Sequence, residues 1–209
     1  MKKEIEELKK EIGDVVLVAV SKTKSRDDIL KAYEFGIRDF GENYVQELIS
    51  KMDSLPEDIR WHMIGHLQTN KVKKLVERNI YLIESVDSIK LAEIINKEAI
   101  KCNKKVNILV EVNITGDINK TGCSLEELDN LINEVRKMSN INLLGLMAVA
   151  SCNGEIDIRD SFKRMRELKD KYNLKKLSMG MSNDYKIAIE EGTDIIRIGT
   201  KIFGKRIYK

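Results

Sequence analysis

Proline is almost absent from this chain, Pro56 being the only one in 209 residues. No Gly/Ser-rich or low-complexity tract marks a domain boundary. The expectation is one domain over 1–209, since two independent units would be cramped in that length. Cysteine is also scarce. Cys102, Cys123 and Cys152 are odd in number and widely spaced, which suits neither a disulfide framework nor a zinc site, and free thiols point to a reducing compartment. No apolar run approaches the roughly 20 residues of a membrane span. The start, MKKEIEELKKEIG, spaces Ile5, Leu8 and Ile12 at helical intervals and lacks the continuous apolar segment of a signal peptide. A cytoplasmic protein with no membrane partner is expected. Charge of one sign is missing too: 37 basic and 34 acidic residues leave a net +3, interspersed along the chain, so a nucleic acid meets no strong field. What is abundant is apolar material for a core, 42% of the chain.

That material is arranged in short β-type runs alternating with longer helical patterns. The strands read as Val15–Val20, Arg38–Phe40, Arg60–Ile64, Ile80–Glu84, Val106–Val112, Leu143–Ala148, Lys176–Met179 and Ile195–Ile198. Between them lie helical stretches such as Arg26–Phe35, Val45–Met52, Ile89–Cys102, Leu125–Met138 and Ile156–Tyr172. Eight βα units predict an α/β fold, a (β/α)₈ barrel of the TIM type at the short end of its size range. An open doubly wound sheet competes, but it would show fewer strands and a glycine-rich turn after the first one. Here that turn is Ser21-Lys22-Thr23-Lys24.

A barrel builds its site from the C-terminal ends of its strands, so the polar residues after each apolar run are the candidates. Lys22 follows the run VVLVAV by two residues, which places its amine at the rim, where desolvation can make it a nucleophile for aldehydes. Position alone equally allows an ordinary surface lysine, and Lys24 is the local competitor, read as a surface or supporting residue. On the last strand, alternation puts Ile195, Arg197 and Gly199 on one face. An inward Arg197 needs an acceptor, either a ligand ring nitrogen or anion, or a carboxylate such as Glu84 or Glu111. The segments SMGMSND and IGTKIFG follow the last two strands, where barrels commonly bind phosphate. Gly180 and Gly199 allow close backbone approach there, and Ser182 and Thr200 add hydroxyls; glycines after strands are also often only turns.

His62 and His66, the only histidines, stand four apart across a strand-to-loop transition, a poor arrangement for a metal. Trp61 reads as core rather than as a stacking platform. No Ser-His-Asp arrangement or phosphate-binding Walker loop is recognisable.

AVSKTK at 19–24, FGENYVQE at 40–47, WHMIGHLQTNK at 61–71, VNIT and KTG within 112–122, GLMAVA at 145–150, LSMGMSND at 177–184 and RIGTKIFG at 197–204 occur in this order. With these motifs the chain resembles the pyridoxal phosphate homeostasis protein family over nearly its whole length. The resemblance implies a fold-type-III barrel, similar to the N-terminal domain of alanine racemase. Its cofactor is pyridoxal 5′-phosphate (PLP), held as a Schiff base on Lys22. Carried over in the same way, Ser182, Gly199 and Thr200 would hold the phosphate, Arg197 would lie by the pyridine nitrogen, and Asn43 would line the pocket. Arg197 there would discourage ring protonation and weaken the electron sink. Two departures are visible: Ser25 stands where many relatives have proline, and the first helix is short. The implied role is to sequester and supply PLP, with PLP-dependent enzymes as recipients, no metal and no robust turnover. The alternatives are a PLP-dependent racemase-like enzyme and a cofactor-free Schiff-base aldolase using Lys22. A racemase would need a second acid across the cofactor, supplied in alanine racemase by a tyrosine of a second domain. Tyr44 is the nearest internal substitute and is expected to pack or hydrogen-bond locally.

Overall fold

A computed structural model of the chain describes residues 1–150 and 154–204. Cys152 lies outside the described residues. Eight parallel strands close into a barrel in chain order, β1 Val16–Val20, β2 Asp39–Glu42, β3 Arg60–Met63, β4 Leu82–Val86, β5 Val106–Glu111, β6 Ile141–Met147, β7 Lys176–Ser178 and β8 Ile195–Ile198. The ring shuts where β1 pairs with β8, from Val16 against Ile195 to Ala19 against Ile198. The expected α/β barrel is therefore the observed one. Its helices are α1 Lys2–Ile12, α2 Arg26–Glu34, α3 Val45–Met52, α4 Val72–Glu77, α5 Ile89–Lys101, α6 Leu125–Arg136, α7 Glu155–Lys171, α8 Tyr185–Glu190 and α9 Thr200–Phe203. Sequence periodicity alone did not locate α4, α8 and α9, because six or four residues cannot display a 3.6-residue period more than once.

Strand bounds shift where sequence pattern and pleat disagree. The apolar pair Ile80-Tyr81 suggested a strand from residue 80, but β4 begins at Leu82 and runs to Val86. Glu84, expected at the end of that strand, is thus a mid-strand residue and fully buried. Two further bounds move in the same way: β2 extends through Gly41 and Glu42, and β6 starts at Ile141, with a bulge opposite Ile108 and Leu109 of β5.

Helix faces follow their spacing. In α1, Ile5, Leu8 and Ile12 are buried as the intervals predict. Ser25 caps α2: its hydroxyl accepts from the Asp28 N–H, and the Asp28 carboxylate accepts from the Ser25 N–H. A proline at 25 would have no N–H for that reciprocal bond. Phe40 and Trp61, alternate to the inward residues of β2 and β3, face the helices and meet with ring centroids 5.8 Å apart, so Trp61 is core as expected.

Inside the ring lie two kinds of layer. Val18, Leu82, Leu109, Met147 and Ile195 form an apolar plug. A line of charged side chains passes it. Arg60 forks onto Asp39 at 2.8 and 2.5 Å. His62, 1% exposed, sets Nε2 3.1 Å from Asp39 Oδ1 and Nδ1 2.7 Å from Glu84 Oε1. Glu84 then reaches across the lumen, its Oε2 accepting from Ser178 Oγ at 2.6 Å, and Arg197 Nη1 donates to the same hydroxyl at 2.5 Å. Both His62 nitrogens face carboxylate oxygens, which only accept, so the ring carries two protons. Burial disfavours that cation, but the bonds to Asp39 and Glu84 outweigh it and raise its pKa. Burial likewise opposes the Asp39 and Glu84 charges, yet Arg60 and His62 hold the Asp39 carboxyl, and His62 and Arg197 the Glu84 carboxyl, below their ordinary range.

The signs define a pH window. A raised His62 pKa contributes stability that is complete below its unfolded value of about 6.5 and is lost as pH rises through the folded value. The depressed carboxyls contribute above their unfolded values of about 4 and lose that contribution as pH falls. His62→Leu leaves two carboxylates buried and should cost about 3–5 kcal/mol at pH 6. The difference from wild type should shrink as pH is raised above about 6.5. Urea unfolding at several pH values checks this; a difference that does not vary with pH would mean the ring is not an imidazolium.

Candidate functional site

At the C-terminal mouth of the barrel lies a cavity of about 460 Å³. Its wall includes Lys22, Asn43, Ser182, Arg197, Gly199 and Thr200, the six residues singled out from the sequence, now within one pocket. Apolar walls come from Val20, Ile64, Val149, Ala150, Ile158 and Met181. Sequence reading did not find these, since nothing distinguishes a pocket-lining valine from a core one before the barrel is closed.

Arg197 forms the floor. Nη2 donates to the Ala148 carbonyl at 2.8 Å, Nη1 donates to Ser178, and Glu84 Oε2 lies 3.7 Å from Nη1. Of the two carboxylates considered from sequence, Glu84 makes the ion pair; Glu111 instead accepts from Thr121 Oγ1 at 2.5 Å. Burial pushes the guanidinium pKa down, opposed by Glu84, Glu111 and Asp184. The side chain remains a cation at any working pH. It is both structurally paired and presented to the cavity.

The opposite wall joins two loops. Thr200 Oγ1 donates to Ser182 Oγ at 3.1 Å, which brings the hydroxyls after β7 and β8 together. The loop from Met181 is held by Asp184, whose Oδ1 accepts from the Met181 N–H. Gly180 does not line the cavity. A Cβ there, at φ 95°, would stand 2.6 Å from the Ala188 Cβ, so this glycine serves the packing of α8 against the barrel. Gly199 lines the cavity as expected.

Asn43, on the turn after β2, has its Oδ1 shielded from solvent without a hydrogen-bond partner among the described residues. A buried acceptor of this kind costs free energy unless a ligand completes it. Gly65 backs it: a Cβ at 65 would lie 2.5 Å from the Asn43 carbonyl oxygen and 2.7 Å from its Cα. Tyr44 departs from expectation. It is the residue before α3, 63% exposed, and its hydroxyl has no hydrogen-bond partner among the described residues. Lys24 is tied aside, its Nζ donating to the Phe203 carbonyl at 3.2 Å.

The donor set suits a small aromatic aldehyde bearing a phosphate. There is an amine on the rim, a hydroxyl pair on the wall, a cation at the floor and an unfilled amide acceptor beside it.

The family described as alanine racemase, N-terminal domain, matches residues 1–206. The pyridoxal phosphate homeostasis protein of Aquifex aeolicus (strain VF5) is 42% identical over 200 residues, covering 92% of this chain and 87% of that protein. This chain belongs to the pyridoxal phosphate homeostasis protein family. The human member is 38% identical over 211 residues, covering 92% of this chain and 77% of its own. Among solved structures, PipY of Synechococcus elongatus PCC7942 without PLP matches with a TM-score of 0.91 at 34% identity, covering 97% of this chain and 99% of that one. The same protein with PLP bound matches at 0.88.

Gly65→Ala tests how tightly the family cavity is built around Asn43. The added methyl meets backbone, which cannot rotate away, and should lower the unfolding free energy by about 1–3 kcal/mol. An unchanged midpoint in thermal or urea unfolding would show that Asn43 has room to retreat.

Proposed function

We propose that this chain binds PLP in the barrel-mouth cavity through Lys22 and acts as a PLP-sequestering and PLP-supplying protein rather than as a metabolic enzyme. The observation that carries this reading is the convergence of Lys22, Asn43, Ser182, Arg197, Gly199 and Thr200 on one cavity. The names of the relatives and the PLP-bound neighbour support the choice of cofactor. PLP supplies an aldehyde that condenses reversibly with an amine.

In this reading Lys22 holds the cofactor from the rim. Ser182 and Thr200 donate hydroxyl bonds to the phosphate, and the absence of a side chain at Gly199 leaves room beside them. Asn43 finds its missing partner on the ligand. Arg197 keeps a permanent cation at the floor, and a cation there disfavours protonation of a ring nitrogen; strong PLP catalysts use a carboxylate to keep that nitrogen protonated. The apolar wall excludes water from the bound group. Recipient proteins are PLP-dependent enzymes, and the working compartment is the cytoplasm, in keeping with the free thiols of Cys102 and Cys123. No described helix is long and apolar enough to cross a membrane.

Incubation with PLP, borohydride reduction and peptide mapping should place the pyridoxyl group on Lys22. Lys22→Ala should lose the bound cofactor's visible absorbance while keeping its circular dichroism, since a rim side chain contributes little packing. A pyridoxyl group found on Lys24 or elsewhere would refute the assignment. It would also be refuted by a Schiff base formed with a carbonyl substrate in a preparation free of PLP, the aldolase alternative.

Absence of turnover is checked separately. The loaded protein, offered a panel of L- and D-amino acids, should show no sustained substrate loss or α-proton exchange. Multiple-turnover racemisation that disappears in Lys22→Ala would replace the carrier reading with the racemase-like one.

A further inference from the structure

Lys22 sits in a turn that its own sequence does not favour. The Lys24 N–H donates to the Ser21 carbonyl at 3.0 Å, closing a four-residue turn whose third residue, Thr23, has φ 65°. That left-handed position is where such turns take glycine. A β-branched residue there is an outlier that persists only if its surroundings impose it.

What imposes it stands behind the turn. The Thr23 N–H donates to Glu47 Oε1 at 2.6 Å. Lys51, one helical turn along α3, donates from Nζ to the same Glu47 oxygen at 2.7 Å, to Glu42 Oε1 at 2.7 Å and to the Ser21 carbonyl at 2.8 Å. Ser21 Oγ adds a bond to Glu42 Oε1 at 2.6 Å. The residues on both sides of Lys22 are thus fastened to α3 and β2, by groups that do not themselves line the cavity.

We infer that Glu47 is a positioning residue for Lys22. Its carboxylate, braced by Lys51, holds Thr23 in the left-handed conformation, and so keeps the Lys22 stem directed to the cavity mouth. This deepens the PLP reading and rests on it for its effect on ligand affinity. It does not rest on that reading for its effect on the turn. Glu42 and Lys51 are both buried and charged, so their removal would disturb the fold itself. Glu47 is partly exposed, with its side chain 26% accessible, and can be replaced with less risk.

Four variants test this: Glu47→Ala, Glu47→Gln, Thr23→Gly, and Thr23→Gly combined with Glu47→Ala. PLP affinity is read by absorbance titration, and apoprotein amide hydrogen exchange is read over residues 20–25. Forcing a non-glycine residue to be left-handed is worth roughly a tenfold population change. Glu47→Ala should therefore weaken PLP binding about tenfold and speed exchange at Thr23. Glu47→Gln retains an oxygen that accepts from the Thr23 N–H and should stay within about threefold of wild type. Glycine adopts the left-handed turn without help, so Thr23→Gly should restore the affinity of Glu47→Ala to within about threefold.

A role confined to general stability would lower the unfolding midpoint of Glu47→Ala without rescue by glycine, and that result overturns the inference. So does wild-type affinity in Glu47→Ala, or a loss in Glu47→Gln equal to that in Glu47→Ala. If Glu47→Ala does not fold, Glu47→Leu, which also lacks the acceptor, gives the same comparison with and without Thr23→Gly, and wild-type exchange at Thr23 in Glu47→Leu overturns it. Wild-type protein that takes up no pyridoxyl group on Lys22 would refute the PLP reading, while the exchange measurements would still judge the turn.

Discussion

Glu84 is the residue that the interior cannot do without. It is fully buried in the middle of β4, and one of its oxygens fixes His62 while the other fixes Ser178 on the far side of the lumen. A carboxylate buried this completely is tolerable only when its oxygens meet donors or cations. The hydrogen bonds here come from β3 and β7 and the facing cation from β8, so the charge that is expensive to bury also specifies how those strands face one another. Arg197 inherits its orientation from this arrangement. Its floor position is a consequence of Ser178 being held by Glu84, and the cavity above it takes its polarity from the same line of charges.

The rim is built differently. Lys22 is not gripped through its own backbone alone; the neighbouring residues are anchored to a buried cluster of Ser21, Glu42 and Lys51, with Glu47 at its edge. Burial pushes the Glu42 carboxyl above its ordinary range in spite of Lys51 and Ser21, and its second oxygen has no partner among the described residues. Floor and rim therefore use opposite economies. The floor is a saturated ionic line, and the rim is a partly satisfied cluster supporting a turn in an uncommon conformation.

Much of this was legible in the sequence because barrel sites obey a positional rule: whatever follows a strand stands at the mouth. That rule, with strand alternation, singled out Lys22, Ser182, Arg197, Gly199 and Thr200 in three separate parts of the chain, and the family resemblance added Asn43. It failed for interior partners. Whether Glu84 ends β4 or lies within it turns on a two-residue shift, and only strand register settles that. His62 was weighed only with His66, because its true partners Asp39 and Glu84 are 23 and 22 residues away and meet it only across neighbouring strands. Lys51 and Glu47 carried a faint signal, a Glu-to-Lys pair four apart on a helix, but that spacing ordinarily marks a solvated face rather than the back of a functional turn.

The closure of the ring between β1 and β8 has a kinetic corollary. Lys22 follows β1, whereas Arg197 and Thr200 belong to β8 and the helix after it, so the two halves of the cavity are the earliest and latest parts of the barrel to leave the ribosome. α1 waits in the same way, since Glu11 accepts from Tyr185 Oη of α8 and pairs with Lys186. Pairings this distant in sequence form slowly, because the intervening chain must be ordered before they gain anything. A nascent chain short of β8 thus has Lys22 without the Arg197 floor or the Thr200 hydroxyl, and the cavity exists only when the last strand is laid beside the first.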